Sequence, residues 1–371
     1  MTRPVVITGG GTGGHIFPMR AVAEQLERAG VEPSQLRYVG SRRGQEATLL
    51  GGGPIALTLL PGRGIRRSLR PRALWDNVGA LIALAGAVCI ALYKVRRWRP
   101  RVVVSLGGYA SFAVGAAAVV WRCPLVLVDL DAVPGSAHRL LMRFAARRCT
   151  TFSSSDPRAV VTGVPLREAI VALARSDQRS AVRERYEPRI DPGRTVIVVM
   201  TGSLGAVKVN SATIELAKQW SQRDDLCLIH VTGRRDFQRV LAAHEPGGHL
   251  DYRILEFADM SLVWAVCDVA VCRAGAVTIG ELTALAIASV LVPLPNSPGN
   301  HQMKNAETLS KVGAALVVPD DTCNATTLAT ALTKVLDPTV RSAMADAARS
   351  LGRLDASAAI AQVVLDVGGL G

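Results

Sequence analysis

A strand, a glycine loop and a helix follow one another near the amino-terminal end of the chain, and this junction constrains the fold most strongly. Residues 5–7 are typical of a buried strand, five of the next seven residues are glycine, and a helical pattern begins near Pro18. Such a junction presents free backbone N–H groups and the positive end of a helix dipole to an anion. We therefore predict an anion site at this loop, with an ordinary tight turn as the alternative.

The same loop matches part of a dinucleotide-binding fingerprint, since its glycines at positions 9, 11 and 14 have the G-x-G-x-x-G spacing. That fingerprint expects an acidic residue at the end of the second strand. This chain has Arg42 and Arg43 there instead. NAD is therefore disfavoured, whereas NADP stays open because arginines suit a 2′-phosphate.

His15 stands at the end of the predicted loop, where a proton acceptor would be useful, although a structural histidine is the alternative. A second glycine turn follows the predicted strand at 102–105 and contains Gly107, Gly108 and Tyr109. In open α/β sheets, ligands bind at the carboxyl ends of the strands. We expect both turns to lie on that edge.

The composition favours a two-domain α/β protein. The chain has 371 residues, of which 49% are apolar and 4% are aromatic, as expected for buried parallel strands. Its seven cysteines are scattered without a C-x-x-C pair, which indicates a reducing compartment and no zinc site. The chain enters a core strand at once, so we expect no signal peptide.

Positive charge is concentrated in the first half. Residues 1–165 contain 22 Lys and Arg against 8 Asp and Glu, whereas residues 166–371 contain 21 against 22. The excess is clustered at 63–72 and 94–101, which indicates an anionic partner, with a solvated basic face as the alternative. Few aromatic residues and no nucleic-acid motif exclude nucleic acid, so we predict an anionic membrane surface.

An uncharged segment of 16 residues, 78–93, separates the two basic clusters. A bilayer-spanning helix needs roughly 20 apolar residues. We therefore predict a mostly buried helix, part of which lies in the lipid headgroup layer, and a peripheral rather than a spanning protein.

The second half repeats the organisation of the first. Residues 196–200 form a predicted strand that leads into a third glycine loop at 201–206. A later strand ends in a small-residue turn and a helix that contains Glu281, a carboxylate that could accept both hydroxyls of a ribose. We predict two doubly wound domains, at 1–163 and 164–351, with a last helix at about 352–371 that packs back on the first.

Five motifs in order resemble those of the MurG glycosyltransferases, and the resemblance covers nearly the whole chain. The first is the glycine loop with His15, and the second is the turn at 107–109. The third is the loop at 202–206, the fourth the segment 272–278 with Glu281, and the fifth the segment 293–295 with His301, Gln302 and Asn305.

This resemblance implies a GT-B fold, in which two Rossmann-like domains with parallel sheets face each other across a cleft. It implies an inverting transfer of N-acetylglucosamine from UDP-GlcNAc to the undecaprenyl-linked muramyl-pentapeptide, which converts lipid I to lipid II in peptidoglycan synthesis. The donor would bind the second domain, and the lipid acceptor the first, at the cytoplasmic face of the cell membrane. No metal or other cofactor is implied, because helix dipoles and N–H groups supply the positive field.

The resemblance also implies roles for individual residues. His15 would be the catalytic base, with Asp129 as its rival. Glu281 would bind the ribose, and Phe257 and Ala258 the uracil. The remaining substrate-binding residues would be Thr12, Gly13, Gly14, Gly108, Tyr109, Asp131, Arg167, Ser203, Arg273, Ala276, Val277, Thr278, Ile279, Gly280, His301 and Gln302.

The chain departs from the family pattern after the fifth strand. Asp129 and Asp131 stand where the family has Glu and Asn, and Val164 replaces an Asn. Asp131 adds negative charge where a diphosphate or sugar is expected, and a carboxylate cannot donate a hydrogen bond. A related enzyme with another lipid or natural-product acceptor, or a silent UDP-sugar-binding protein, therefore stays open.

Overall fold

A computed structural model describes residues 3–11, 13–62, 71–176, 179–202, 204–245 and 247–370, without the side chains of 71–78 and 180. The chain divides into two compact units, Met1–Arg167 with Asp355–Gly371, and Glu168–Leu354. The domain boundaries predicted from the sequence, after 163 and after 351, lie a few residues before these divisions.

The first unit is a parallel sheet with helices on its faces. The strand order is β3-β2-β1-β4-β5-β6-β7, so the direction of winding reverses between β1 and β4. Its strands are β1 Val5–Thr8, β2 Leu36–Ser41, β3 Ala56–Leu60, β4 Val102–Ser105, β5 Leu125–Asp129, β6 Arg147–Thr150 and β7 Ala159–Val161; its helices are α1 Gly13–Arg28, α2 Glu46–Leu50, α3 Pro71–Trp98, α4 Tyr109–Val120 and α5 Ser136–Leu141.

The second unit has the same design with six parallel strands in the order β10-β9-β8-β11-β12-β13. Its winding reverses between β8 and β11. Its strands are β8 Thr195–Met200, β9 Leu226–Val231, β10 Asp251–Leu255, β11 Val269–Cys272, β12 Ala288–Leu291 and β13 Ala315–Val317; its helices are α6 Glu168–Arg175, α7 Arg179–Arg185, α8 Val207–Gln219, α9 Phe237–Ala242, α10 Met260–Val266, α11 Ala276–Ala284, α12 His301–Lys311, α13 Ala325–Leu336 and α14 Pro338–Leu351.

The last helix, α15 Ala356–Gly368, belongs to the first unit. It packs against α1 and buries Ile360 and Val364 completely. The Arg101 guanidinium also donates a hydrogen bond to the carbonyl of Gly369 over 2.8 Å. The chain therefore returns to its first unit after the second is complete.

Helix α1 begins at Gly13, so the predicted start near Pro18 is wrong. Pro18 lies inside the helix and cannot donate to the carbonyl of Gly14, whereas Ile16, Pro18 and Met19 are buried. Burial of this apolar face outweighs the poor helix propensity of two glycines and a proline. His15 is consequently a residue of the first helical turn and not of the preceding loop.

Candidate active site

The first two glycine loops meet at the edge of the first sheet. The first glycine loop, residues 9–12, follows β1, and the second, residues 106–108, follows β4; these neighbouring strands flank the reversal of winding. Gly108 has φ +91, and a Cβ atom there would lie 2.6 Å from the carbonyl oxygen of Gly10. Only glycine allows the two loops to approach this closely.

His15 lies against the second of these loops. The residue is half-buried, and a Cβ atom on Gly107 would be 3.4 Å from its Nε2 atom. Gly13 and Gly14 precede it in the first turn of α1, and Gly14 is exposed. The first turn of a helix has N–H groups without partners in the helix, so this end of α1 offers an anion site beside the imidazole. Thr12 lies outside the described residues.

A buried carboxylate holds the first glycine loop, and the sequence analysis missed it. Glu46 is fully buried, and its Oε1 atom accepts hydrogen bonds from the N–H groups of Gly11 and Ser41, each over 2.9 Å. An acidic group therefore does follow the second strand, but it binds the protein's own backbone. Because Glu46 occupies the N–H group of Gly11, the predicted anion site is restricted to the first turn of α1.

Asp129 ends strand β5 in a buried ionic network. Its Oδ1 atom is 2.7 Å from Nδ1 of His138, and its Oδ2 atom accepts hydrogen bonds from Arg148 over 2.6 and 3.1 Å. Burial alone would raise the pKa of Asp129, but His138 and Arg148 outweigh it and hold the pKa below its usual range. Both oxygens of this carboxylate are thus already engaged.

Hydrogen bonds connect Ser105 to His138 and His138 to Asp129, in the same order as in the Ser-His-Asp triad of hydrolases. The Ser105 hydroxyl lies 2.8 Å from Nε2 of His138. Ser105 is nevertheless fully buried, and His138 is 3% exposed. A nucleophile must reach its substrate, so this arrangement supports the second glycine loop rather than hydrolysis.

The other predicted residues of the first unit surround this edge. Asp131 is half-buried just beyond β5, and with Asp129 and Arg148 it lines a cavity of about 310 Å³. Tyr109 begins α4 beside Gly62, and burial raises the pKa of its hydroxyl. The Arg167 guanidinium lies over the ring of Phe17, 5.2 Å from its centroid.

In the second unit, two junctions again flank the reversal of winding. The third glycine loop, residues 202–206, follows β8, and α11 follows β11 through Arg273 and Gly275. Ser203 of the loop lies outside the described residues. Each of the two units therefore has a pair of loop–helix junctions on adjacent strands.

Helix α11 carries most of the predicted donor-binding residues. Ala276, Val277 and Thr278 form its half-buried first turn, and the buried Ile279 and Gly280 follow them. Glu281 lies one turn further on and is 4% exposed, and its Oε2 atom accepts a hydrogen bond from the Trp264 indole over 2.8 Å. This bond fixes the orientation of the carboxylate.

Arg273 and Gln302 stabilise the loops around this helix. The Arg273 guanidinium binds the carbonyls of Val292 and Pro293 and forms a 2.6 Å ion pair with Asp320. The Gln302 side chain accepts a hydrogen bond from the backbone N–H of Leu294 over 2.9 Å.

The remaining predicted residues of this unit lie at the start of α12 and just after β10. His301 begins α12, and its Nδ1 atom is 2.7 Å from the carbonyl oxygen of Pro298. Phe257 follows β10 and is 72% exposed, with Ala258 half-buried beside it. An exposed ring at a strand end could stack on a base. Across the described ranges, no three His, Cys, Asp or Glu side chains form a group that could hold a metal ion.

Both units match known families. Residues 5–150 match the glycosyltransferase family 28 N-terminal domain, and residues 196–362 match the C-terminal domain of the same family. A UDP-N-acetylglucosamine–N-acetylmuramyl-(pentapeptide) pyrophosphoryl-undecaprenol N-acetylglucosamine transferase from Alkalilimnicola ehrlichii is 36% identical over 99% of both chains. The enzyme of that name from Moorella thermoacetica is also 36% identical, over 97% of this chain and 98% of its own.

The chain belongs to the MurG family of glycosyltransferases.

Solved structures agree with this assignment. A crystal structure of MurG from Acinetobacter baumannii is similar with a TM-score of 0.75 and 25% identity, over 98% of this chain and 99% of that one. The glycosyltransferase of kitacinnamycin, at 16% identity and a TM-score of 0.73, shares the fold. The predicted α/β fold with two Rossmann-like domains and the predicted glycosyltransferase class are confirmed, and the NADP alternative is wrong.

One departure of this MurG-family chain from the family pattern, Asp129, has a local compensation. Asp129, one methylene shorter than the expected Glu, is held between His138 and Arg148, and Arg148 also pairs with Asp156 over 3.1 Å. The positive charge of Arg148 is thus already paired with two carboxylates, and Asp131 lines the same cavity. Sequence reasoning missed His138 and Arg148, because neither is part of a recognisable motif.

Proposed function

We propose that this chain transfers N-acetylglucosamine from UDP-GlcNAc to undecaprenyl-pyrophosphoryl-MurNAc-pentapeptide, which converts lipid I to lipid II in peptidoglycan synthesis. The observation that supports this proposal most strongly is the full-length similarity to relatives whose names state this transfer. One of them is 36% identical over 99% of both chains. The protein is then a UDP-GlcNAc-dependent hexosyltransferase.

The donor binds the second unit in this proposal. The carboxylate of Glu281, oriented by Trp264, accepts the ribose hydroxyls. The N–H groups of the first turn of α11, together with the third glycine loop, bind the diphosphate. Phe257 lies against the uracil, and Gln302 and His301 bind the hexosamine.

His15 acts as the general base. The acceptor hydroxyl attacks the anomeric carbon, the bond from that carbon to the β-phosphate oxygen breaks, and the proton of the hydroxyl passes to His15 as UDP leaves. The structure favours His15 over Asp129, because hydrogen bonds to His138 and Arg148 engage both oxygens of Asp129 and lower its pKa. The diphosphate of the acceptor lies at the first turn of α1.

The protein binds the cytoplasmic face of the cell membrane peripherally, through α3. One face of α3 packs on α4 and buries Ala87, Ala91 and Val95, whereas Leu81, Ile82, Ile90 and Tyr93 are exposed. Exposed Arg96, Arg97, Arg99 and Arg101 follow this apolar face. The basic cluster at 63–70 lies outside the described residues, and Arg72 is described only by its backbone.

Transfer of labelled N-acetylglucosamine from UDP-GlcNAc to a short-chain lipid I analogue tests this function, with and without EDTA. Turnover that EDTA does not change is the expected result. Donor binding without transfer would contradict the proposal. It would favour an enzyme with another acceptor or a silent UDP-sugar-binding protein. These two alternatives are relevant because Asp129 and Asp131 depart from the family pattern.

Two substitutions separate the assigned roles. We expect His15→Ala to lower kcat by roughly 10²-fold or more while the KM for UDP-GlcNAc changes little, because a general base acts in the transition state. We expect Glu281→Gln to raise the KM for UDP-GlcNAc. Wild-type kinetics in both variants would disprove the site, and His249→Gln, at an exposed histidine, is the control.

A further inference from the structure

A line of polar side chains runs from the half-buried Tyr252 through the interior of the second unit and ends at the third glycine loop. The Tyr252 hydroxyl is 2.8 Å from Nδ1 of His230, and Nε2 of His230 is 2.8 Å from Oδ1 of Asn210. The Asn210 amide nitrogen then donates to Oδ2 of Asp236 over 2.8 Å and to the carbonyl of Thr232 over 3.1 Å. His230 and Asn210 are completely buried.

The direction of every hydrogen bond in this line is determined. A carboxylate and a carbonyl can only accept, so the amide nitrogen of Asn210 must face them and its oxygen must face His230. Nε2 of His230 therefore carries the proton. Burial, assisted by the charge of Arg239, lowers the pKa of His230 to about 3, so the ring is neutral and Nδ1 must accept from the Tyr252 hydroxyl.

The inner end of the line touches the backbone of the third glycine loop. Gly205 has φ +81, and a Cβ atom there would lie 2.6 Å from the carbonyl oxygen of Thr232 and 2.9 Å from Oδ2 of Asp236. These two oxygens are the ones that Asn210 binds. Arg235 completes the contact, since its guanidinium lies 3.2 Å from Asp236 and donates to the carbonyl of Gly205 over 3.2 Å.

We propose that Tyr252 and His230 are positioning residues for the third glycine loop and thereby set the affinity of the protein for the diphosphate of its nucleotide ligand. Neither residue lies in a motif that the sequence analysis singled out. The inference rests on the proposed function, in which this loop contacts the donor diphosphate.

The Nδ1 atom of His230 depends on the Tyr252 hydroxyl for its hydrogen bond. Without the Tyr252 hydroxyl, this atom of a completely buried ring loses the one donor that the described residues give it, and an unsatisfied buried acceptor is costly. The ring can recover a donor by rotating or by changing its tautomer, but either change removes the N–H group from Oδ1 of Asn210. Asn210 then loses the partner that orients it toward Asp236 and Thr232, and the loop loses its support.

The experiment compares the affinities for UDP and for uridine, which lacks both phosphates. We expect Tyr252→Phe to weaken UDP binding about fivefold or more, as the loss of one buried hydrogen bond predicts, and to leave uridine binding unchanged. His230→Leu should have the same selective effect, and His230→Gln, whose amide can both donate and accept, should recover part of the affinity. Calorimetry measures the affinity for UDP, and titration followed by NMR measures the affinity for uridine.

Tyr186→Phe is the matched control, because this tyrosine of the same unit packs near Arg253, and none of the hydrogen bonds of the line among the described residues involves it. Equal weakening of UDP binding and of uridine binding in Tyr252→Phe would overturn the inference. A general loosening of the unit would lower both affinities alike, whereas the loss of a diphosphate contact lowers only that for UDP. Unchanged UDP affinity in that variant would also overturn it. A wild-type protein that binds neither UDP nor UDP-GlcNAc would instead overturn the proposed function.

Discussion

The buried His230 couples the stability of the second unit to pH. Its pKa is about 3 in the folded state, compared with about 6.5 in an unfolded chain. The unfolded state therefore binds more protons between these values, so stability is complete above about pH 6.5 and is lost as the pH falls toward 3.

We expect the free energy of unfolding to fall by about 1.4 kcal/mol for each pH unit below about 6.5 on account of this one proton. Urea unfolding of the wild type and of His230→Gln at several pH values measures the difference. The variant should be less stable than the wild type at neutral pH and should lose less on acidification. Parallel curves for the two proteins would contradict the prediction, and His249→Gln should behave as the wild type.

The ion pair between Asp129 and Arg148 is a second residue-scale feature with a measurable energy. Both side chains are at most 4% exposed, so removal of one leaves the other buried with a single partner, Asp156 for Arg148 and His138 for Asp129. We expect Asp129→Ala and Arg148→Ala each to destabilise the protein by about 3–5 kcal/mol, and the double variant by less than their sum. Denaturant unfolding of the four proteins gives the coupling energy.

The exposed pair of Arg349 and Asp346 is the control for this cycle. Its side chains are 66% and 67% exposed, and we expect a coupling energy below about 1 kcal/mol. A coupling at the buried pair no larger than this would contradict the account of Asp129.

Residue-scale features were predictable only where the motif itself carries them. The glycine loops, His15 and Glu281 are recognisable in the sequence because local backbone requirements restrict the residue types. Glu46 is not, since its partner Gly11 lies 35 residues away and nothing local marks the carboxylate as an internal backbone ligand. His138 and Arg148 are hidden for the same reason.

Among the elements, α3 has the properties on which the proposed membrane contact rests. Among the described residues, its segment Gly79–Trp98 is long and apolar enough to cross a membrane, but one face of the helix packs on α4. Only 22% of its apolar window is buried, so the prediction of a mostly buried helix is wrong. The opposite face exposes Ile82 and Tyr93, which are 68% and 62% accessible. Such a helix fits the headgroup layer better than the bilayer core.

We expect Ile82→Asp to reduce binding to vesicles that contain anionic lipid, because it removes apolar area and adds a repelled charge. We also expect the binding of the wild type to weaken as salt increases. Cosedimentation with phosphatidylglycerol vesicles and with phosphatidylcholine vesicles measures both effects. Leu241→Asp, an exposed leucine of α9 in the second unit, should bind as the wild type does. Equal losses in the two variants would contradict a specific role of α3.

Element boundaries were less predictable than element types. The early start of α1 depends on burial of Ile16 and Met19, which local propensity does not describe. The three-residue strands β7 and β13 at the sheet edges were missed altogether, because so short a run has no recognisable periodicity.

At the scale of the whole molecule, the repeated order of strand, glycine loop and helix made the two-sheet architecture predictable. Buried parallel strands need helices on both faces, and the chain alternates accordingly. Composition could not reveal that each unit places its two junctions on the strands that flank the reversal of winding, since strand order depends on packing between distant segments.

The return of α15 to the first unit predicts which unit depends on the end of the chain. Ile360 is completely buried in the first unit, and we expect Ile360→Ala to cost about 2–5 kcal/mol there. Hydrogen exchange followed by mass spectrometry should show faster exchange in α1 and β4 and unchanged exchange in β8 and β11. Faster exchange in the second unit would contradict the assignment, and Val340→Ala on the exposed face of α14 is the control.

The same return of the chain determines the order in which the units can mature during synthesis. A ribosome releases residues 168–354 before it releases α15, so the second unit can close its core while the first still lacks a helix. The first unit, although translated first, exposes the apolar surface of α1 until the last residues emerge. The half that carries His15 is therefore finished last, and a nascent chain that stalls before residue 355 presents an open sheet to chaperones and proteases.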